Sequence, residues 1–120
     1  MPRYVILRHE TPKSDRGPVH WDFMLEQGDL LRTWALAEEP SCGRDIAANQ
    51  LADHRLDYLD YEGPISGDRG NVKRLDVGEY ESVSESADEL CVALAGRELA
   101  GKVALRREGR TQRWRFTFST

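Results

Sequence analysis

The chain has 120 residues, a net charge of −4 at pH 7, 39% hydrophobic and 32% charged residues. That length fits one domain, expected to span 1–120. Its apolar runs reach only about five residues, which excludes a bilayer-spanning helix. Met1 to Arg8 is patterned as a strand and lacks the apolar core of a secretory leader, so a cytoplasmic protein is expected. Cys42 and Cys91 lack metal-like spacing and read as free thiols in a reducing compartment, with a pair as the alternative.

Strand signals begin at once. RYVILRH (3–9) is followed by the polar, Gly/Pro-bearing stretch 12–18, then by HWDFMLEQ (20–27), a Gly28-Asp29 turn and LLRTWAL (30–36). GRDIAANQLADH (43–54) is ambiguous. Ala47, Ala48 and Gln50 favour a helix, while Ile46, Leu51 and the turn-like ends suit a strand. NVKRLDV (71–77), EYESVS (79–84), ELCVALAG (89–96), GKVALRR (101–107) and RWRFTFS (113–119) complete the set. Turns at this spacing predict a mostly β fold: a small antiparallel barrel of seven or eight strands with at most one or two short helices. From Arg97 onward seven Lys/Arg face two acids, a local +5 that leaves −9 on the first 96 residues. This asymmetry suits either a polyanion-facing patch or a solvated hairpin.

Side chains alternate across a strand, so 20–27 divides into two faces. Trp21, Phe23 and Leu25 form an apolar stripe. His20, Asp22, Met24 and Glu26 form the other face. A histidine and an aspartate two residues apart on one face can converge on a Mn, Zn or Fe ion, or simply hydrogen-bond to each other on a wet surface. The remaining histidines also sit beside acids: His9 in LRHE and His54 in ADHRLDYLDYEG.

These blocks carry a resemblance. YVILRH…HWDFMLEQGDLLRTWAL, DHRLDYLDYEG, GDRGNVKRLDVGEY and LAGRELAGKVALRR…RWRF together resemble, in order and over nearly the whole chain, the 3′-phosphoesterase module of bacterial DNA ligase D. The resemblance implies a manganese-dependent enzyme that removes a 3′-ribonucleoside and then a 3′-phosphate from primer-template DNA ends during break repair. It implies that His9, His20 and Asp22 bind the metal and that His54 and Tyr58 act at the phosphate. The partners that the resemblance implies are DNA 3′ ends or a primer-template, with a separate ligase or polymerase as one option.

The chain also departs from the family pattern. Met24 stands where the family keeps an arginine at the scissile phosphate, and a thioether offers neither the charge nor the planar five-donor fork of a guanidinium. Ten residues separate His9 from His20, where the family has five, and they include Lys13 and Arg16. A second family arginine falls at Ile46, with Arg44 two places off. The Gly-rich loop is shorter and holds Arg69. Arg8, Arg32 and Arg69 are the candidates to replace the missing cation. Trp34 and Glu62 read as structural. Three readings stay open: a metal-dependent phosphoesterase on DNA 3′ ends, a weak or inactive relative that binds DNA ends or a phosphorylated ligand, and a metal protein acting on a small phosphoester.

Overall fold

The computed structural model describes residues 2–11, 18–65 and 70–120. Among these, nine strands form: β1 (Arg3–Glu10), β2 (Val19–Gln27), β3 (Leu30–Leu36), β4 (Asp45–Arg55), β5 (Gly63–Pro64), β6 (Asn71–Glu85), β7 (Glu89–Gly96), β8 (Ala100–Arg107) and β9 (Arg113–Ser119). The hydrogen-bonded order is β1-β2-β3-β4-β9-β8-β7-β6, and β6 pairs back with β1. Eight antiparallel strands therefore close on themselves, and the two-residue β5 lies outside the ring against β6. The only helical element among the described residues is one 3₁₀ turn, Leu56–Leu59.

The expected barrel is observed, with local differences. Residues 43–54 resolve to strand: Ile46 and Ala48 face inward and are buried, while Ala47 and Asn49 are exposed. Alanine's helix preference is under 1 kcal/mol per residue, and pairing on both sides of β4 overrides it. The segments 71–77 and 79–84 are one continuous strand, broken in register near Ser82 to Ser84. Cys42 and Cys91 are free.

An eight-stranded barrel is just wide enough for side chains to fill it. Tyr4, Ile6, Phe23, Trp34, Phe116 and Trp114 lie in that filling, with Trp34 edge-on to Trp114 at 5.7 Å between ring centres. Trp34 is thus a core residue. Asp76, also inward-facing, accepts hydrogen bonds from the Tyr4 hydroxyl (2.5 Å) and from the backbone N–H groups of Glu98 (2.9 Å) and Leu99 (3.2 Å). This buried carboxylate ties β1 and β6 to the β7–β8 turn. Gly96 has to be glycine there, because a Cβ would overlap the Tyr4 hydroxyl.

Tyr4 to Leu7 form a continuous buried run, which indicates cover on both faces. A second apolar cluster explains it. Val5, Leu7, Met24, Leu31, Val72 and Val77 point outward from the barrel, and Leu56, Tyr58, Leu59 and Ile65 pack over them. The chain from 56 to 65 is therefore a strap laid across the outer face of β3, β2, β1 and β6. Each fully buried side chain beneath it contributes about 1.5–3 kcal/mol, so the strap is firmly held. The Glu62 carboxylate accepts the backbone N–H of Arg74 at 2.8 Å and fixes the far end of the strap on β6. Gly70, at φ +96° just before β6, lies so close to β1 that a Cβ would overlap the Glu10 carbonyl.

Candidate metal centre

β1 and β2 are antiparallel neighbours, and the register sets His9 directly opposite His20 and Leu7 opposite Asp22. The backbone N–H of Thr11 donates to the Pro18 carbonyl at 2.7 Å, which holds the two strand ends together across the long connection. His9, His20 and Asp22 share the outer face with Leu7 and Met24, at the margin of the strap's cluster. The expected alternation is observed: Phe23 and Leu25 enter the barrel with Trp21 packed against them, while His20 and Asp22 face away.

One ligand-capable atom from each of His9, His20 and Asp22 lies within 4.8 Å of the others. Nδ1 of His9 is 3.1 Å from Oδ2 of Asp22, and Nε2 of His20 is 3.0 Å from Oδ1. The two imidazole centres are 4.7 Å apart. Donors bound to one ion at about 2.1 Å, with about 90–110° between them, stand roughly 3.0–3.4 Å apart. The two short distances run to different carboxylate oxygens and the three ligand atoms lie within 4.8 Å, so small side-chain shifts would bring them onto one cation. Asp22 and His20 are buried; Nδ1 of His20 has no hydrogen-bond partner among the described residues, and Oδ1 of Asp22 has only the His20 ring nitrogen close by, outside good hydrogen-bond geometry. Such groups are normally satisfied, and a cation would satisfy the carboxylate oxygen. Two imidazoles and one carboxylate also suit Mn, Fe or Zn. Burial acts to raise the pKa of Asp22, but His20 and His9 outweigh it and hold the carboxyl below its ordinary value, ionised and fit to bind a cation.

The other expected residues lie elsewhere. His54 pairs across the sheet with Leu31, which in the β2–β3 register is level with Glu26. That is four residues along β2 from Asp22, an axial offset of roughly 13 Å. His54 is half-buried at the start of the strap, its ring 5.6 Å from that of Tyr58. Its Nδ1 lies 2.9 Å from the Ala52 carbonyl, a bond that requires the proton on Nδ1 and leaves Nε2 free to accept. His54 and Tyr58 thus form one pair, separate from the His9, His20 and Asp22 group.

The arginine candidates divide by strand parity. Arg8 alternates with His9 and takes the face of Tyr4 and Ile6, where it pairs with Glu10. Arg32 takes the face of Leu25 and Trp34. Its guanidinium sits 5.2 Å from the Trp34 ring and 3.0 Å from Glu85. Both are on the opposite side of the sheet from His9, His20 and Asp22. Arg69, Lys13 and Arg16 lie outside the described residues. Arg44 pairs with Glu38 at 2.6 Å, and Ile46 is inside the barrel. Met24 is buried under the strap, 1% exposed.

The model of the DNA ligase D 3′-phosphoesterase domain matches residues 8–107, a span that holds His9, His20, Asp22, His54 and Tyr58. The chain belongs to the DNA ligase D 3′-phosphoesterase domain family. This 3′-phosphoesterase-family chain is also 31% identical, over 91% of its length, to the multifunctional non-homologous end joining protein LigD of Pseudomonas aeruginosa. It spans 14% of that relative's length. Among its described residues no helix is long and apolar enough to cross a membrane.

One residue escaped the sequence reading. Arg74 faces the same side as His9 and Asp22, because it pairs with Leu7, which in turn pairs with Asp22. A break in register between Ile6 and Leu7, where Leu75 is the extra residue on β6, shifts its parity. Simple alternation back from Val77 would put Arg74 on the other face.

Proposed function

We propose that residues 1–120 form one 3′-phosphoesterase-like domain that acts on the 3′ ends of DNA in repair, with Mn2+ held by His9, His20 and Asp22. The observation that carries this reading is the convergence of those three side chains on one point of the outer face, in a chain of this family. The bound ion would supply Lewis acidity at a phosphate oxygen and lower the pKa of a coordinated hydroxyl or water. Asp22 contributes a fixed negative charge that offsets one of the cation's two positive charges. The strap keeps water from the apolar side of the group, which strengthens local electrostatics. His54, with Nδ1–H held by the Ala52 carbonyl, would accept a proton at Nε2 and, once Nε2 carries it, donate to the phosphate, and Tyr58 would donate a hydrogen bond to a phosphate oxygen.

The protein would work in the cytoplasm together with ligase or polymerase activity. The relative's role in end joining supports DNA ends as the substrate. The experiment is to follow phosphate release from a 3′-phosphorylated primer-template while manganese is titrated. Manganese-dependent release supports the reading, and its absence with intact end binding rejects catalysis.

Met24 favours a second reading, a weak or inactive relative that binds DNA ends or a phosphorylated ligand. Its buried thioether supplies no charge to the site face, and one preorganised donor at a developing charge is worth about 3–4 kcal/mol. No phosphate release, with no binding of DNA ends or of a phosphorylated ligand, would reject both readings.

A further inference from the structure

The geometry points to Arg74 as the phosphate-binding cation of this site. The inference rests on the reading of the outer face as a phosphate site and names the residue that would recognise the anion there.

Position comes first. Val72 is the direct cross-strand partner of His9, and Arg74 is two residues farther along β6 on the same face. His9 and Arg74 are therefore diagonal neighbours, a relationship with Cα atoms about 7–8 Å apart and within reach of a long side chain. Arg74 and Asp22 flank Leu7 in one row across three strands, about 10 Å apart at two strand spacings. Arg74 thus shares the outer face with His9 and Asp22, on the β6 side of Leu7.

The second observation is the state of the guanidinium. Nε of Arg74 is buried and has no hydrogen-bond partner among the described residues. A buried charged donor left unsatisfied is costly, and this one stands among Leu7, Val72 and Val77, where an apolar residue would pack better. Glu62 engages only the backbone N–H of Arg74. Asp60 feels the charge of Arg74, but less than that of Arg3, to which it is hydrogen-bonded at 3.0 Å in an exposed pair. The guanidinium thus has no carboxylate committed to it among the described residues.

The third is elimination by face. Arg8 and Arg32 point to the opposite side of the sheet, and each has an acidic partner. Of Arg8, Arg32 and Arg74, the last is the one whose face matches the site. A guanidinium presents paired N–H donors that match phosphate oxygens, so the ligand class is a phosphate monoester or diester at a DNA 3′ end.

The test compares binding of a 3′-phosphorylated and a 3′-hydroxyl primer-template to the full chain, in wild type, Arg74→Gln and Arg74→Lys, with manganese affinity measured in each. We expect wild type to prefer the phosphorylated end. Arg74→Gln should lower that preference on the order of tenfold or more, Arg74→Lys should restore part of it, and manganese affinity should stay within about twofold of wild type in a neutral variant that remains folded. A wild type without the preference, or an Arg74→Gln variant that keeps it, overturns the assignment. Lost phosphate release with a preserved, Arg74-dependent preference would count against catalysis alone.

Discussion

His20 and Asp22 are on the same strand with Trp21 between them, and Nε2 of His20 nonetheless stands 3.0 Å from Oδ1 of Asp22. His9 reaches the other carboxylate oxygen from the neighbouring strand at 3.1 Å. Burial acts against the charge of this carboxylate, but its contacts with the two imidazoles outweigh burial and keep it ionised in the folded state. Its pKa lies below the ordinary 3.8. The associated stability is fully present above that ordinary value and is lost as pH falls through the lower folded value. In metal-free buffer, the stability advantage of wild type over Asp22→Asn should therefore shrink as pH falls below about 4. Urea midpoints at pH 6 and below pH 4 check this. An advantage that grows on acidification contradicts it.

The Tyr4–Asp76 pair makes the opposite prediction at high pH. Burial and the hydrogen bond to Asp76 raise the Tyr4 pKa well above its ordinary 10.0. Stability from the neutral phenol is complete below pH 10 and is lost as pH rises through and beyond that value. Tyr4→Phe should cost about 1–3 kcal/mol near neutrality, because Asp76 loses one of its three hydrogen bonds. Its stability should also fall less steeply than that of wild type above pH 10. Thermal unfolding at pH 7 and above pH 10 tests both statements.

Gly96→Ala should destabilise the fold by about 1–3 kcal/mol, the scale of overpacking a filled site. The added methyl meets the Tyr4 hydroxyl and the Asp76 carboxylate together. The change should be no larger in a Tyr4→Phe background, where part of the obstruction is gone. Denaturant melts of the two single variants and the double variant measure the coupling.

Much of this site can be read directly from the residue order. The alternation in HWDFMLE places Phe23 and Leu25 inside the barrel and His20 and Asp22 outside. The same parity argument, applied to LRHE, already separates Arg8 from His9. Alternation cannot tell which outer positions are wet. Met24 shares a face with His20 and Asp22, yet it is buried, because a strap from a distant part of the chain covers it. Nor can alternation anticipate the extra residue at Leu75, which puts Arg74 on the outer face. The ambiguity at 43–54 was local as well: Ala47 and Ala48 suit a helix, and only the partners on β3 and β9 decide for a strand.

Met24 offers a direct check on the strap. If it is a packing residue, Met24→Leu should change stability by less than about 1.5 kcal/mol and leave preference for 3′-phosphorylated ends unaltered. Met24→Ala should cost about 2–5 kcal/mol. Thermal unfolding and end-binding titrations of both variants test the assignment, and a loss of phosphate preference in Met24→Leu would contradict it.

His54 should separate from the metal ligands in function. His54→Ala should reduce phosphate release by about 10²–10⁴-fold, the usual contribution of a positioned acid or base, and leave manganese affinity unchanged. Parallel measurement of turnover and metal binding would show this. A fall in metal affinity would place His54 among the ligands.

The most direct measurement of the central claim is manganese binding at equilibrium, followed by the spin-resonance signal of the free ion, for wild type, His20→Ala and Asp22→Asn. The account predicts one saturable site in wild type and a loss of affinity of at least about tenfold in each variant, since each removes one of three ligands. Wild-type affinity in folded His20→Ala would contradict it.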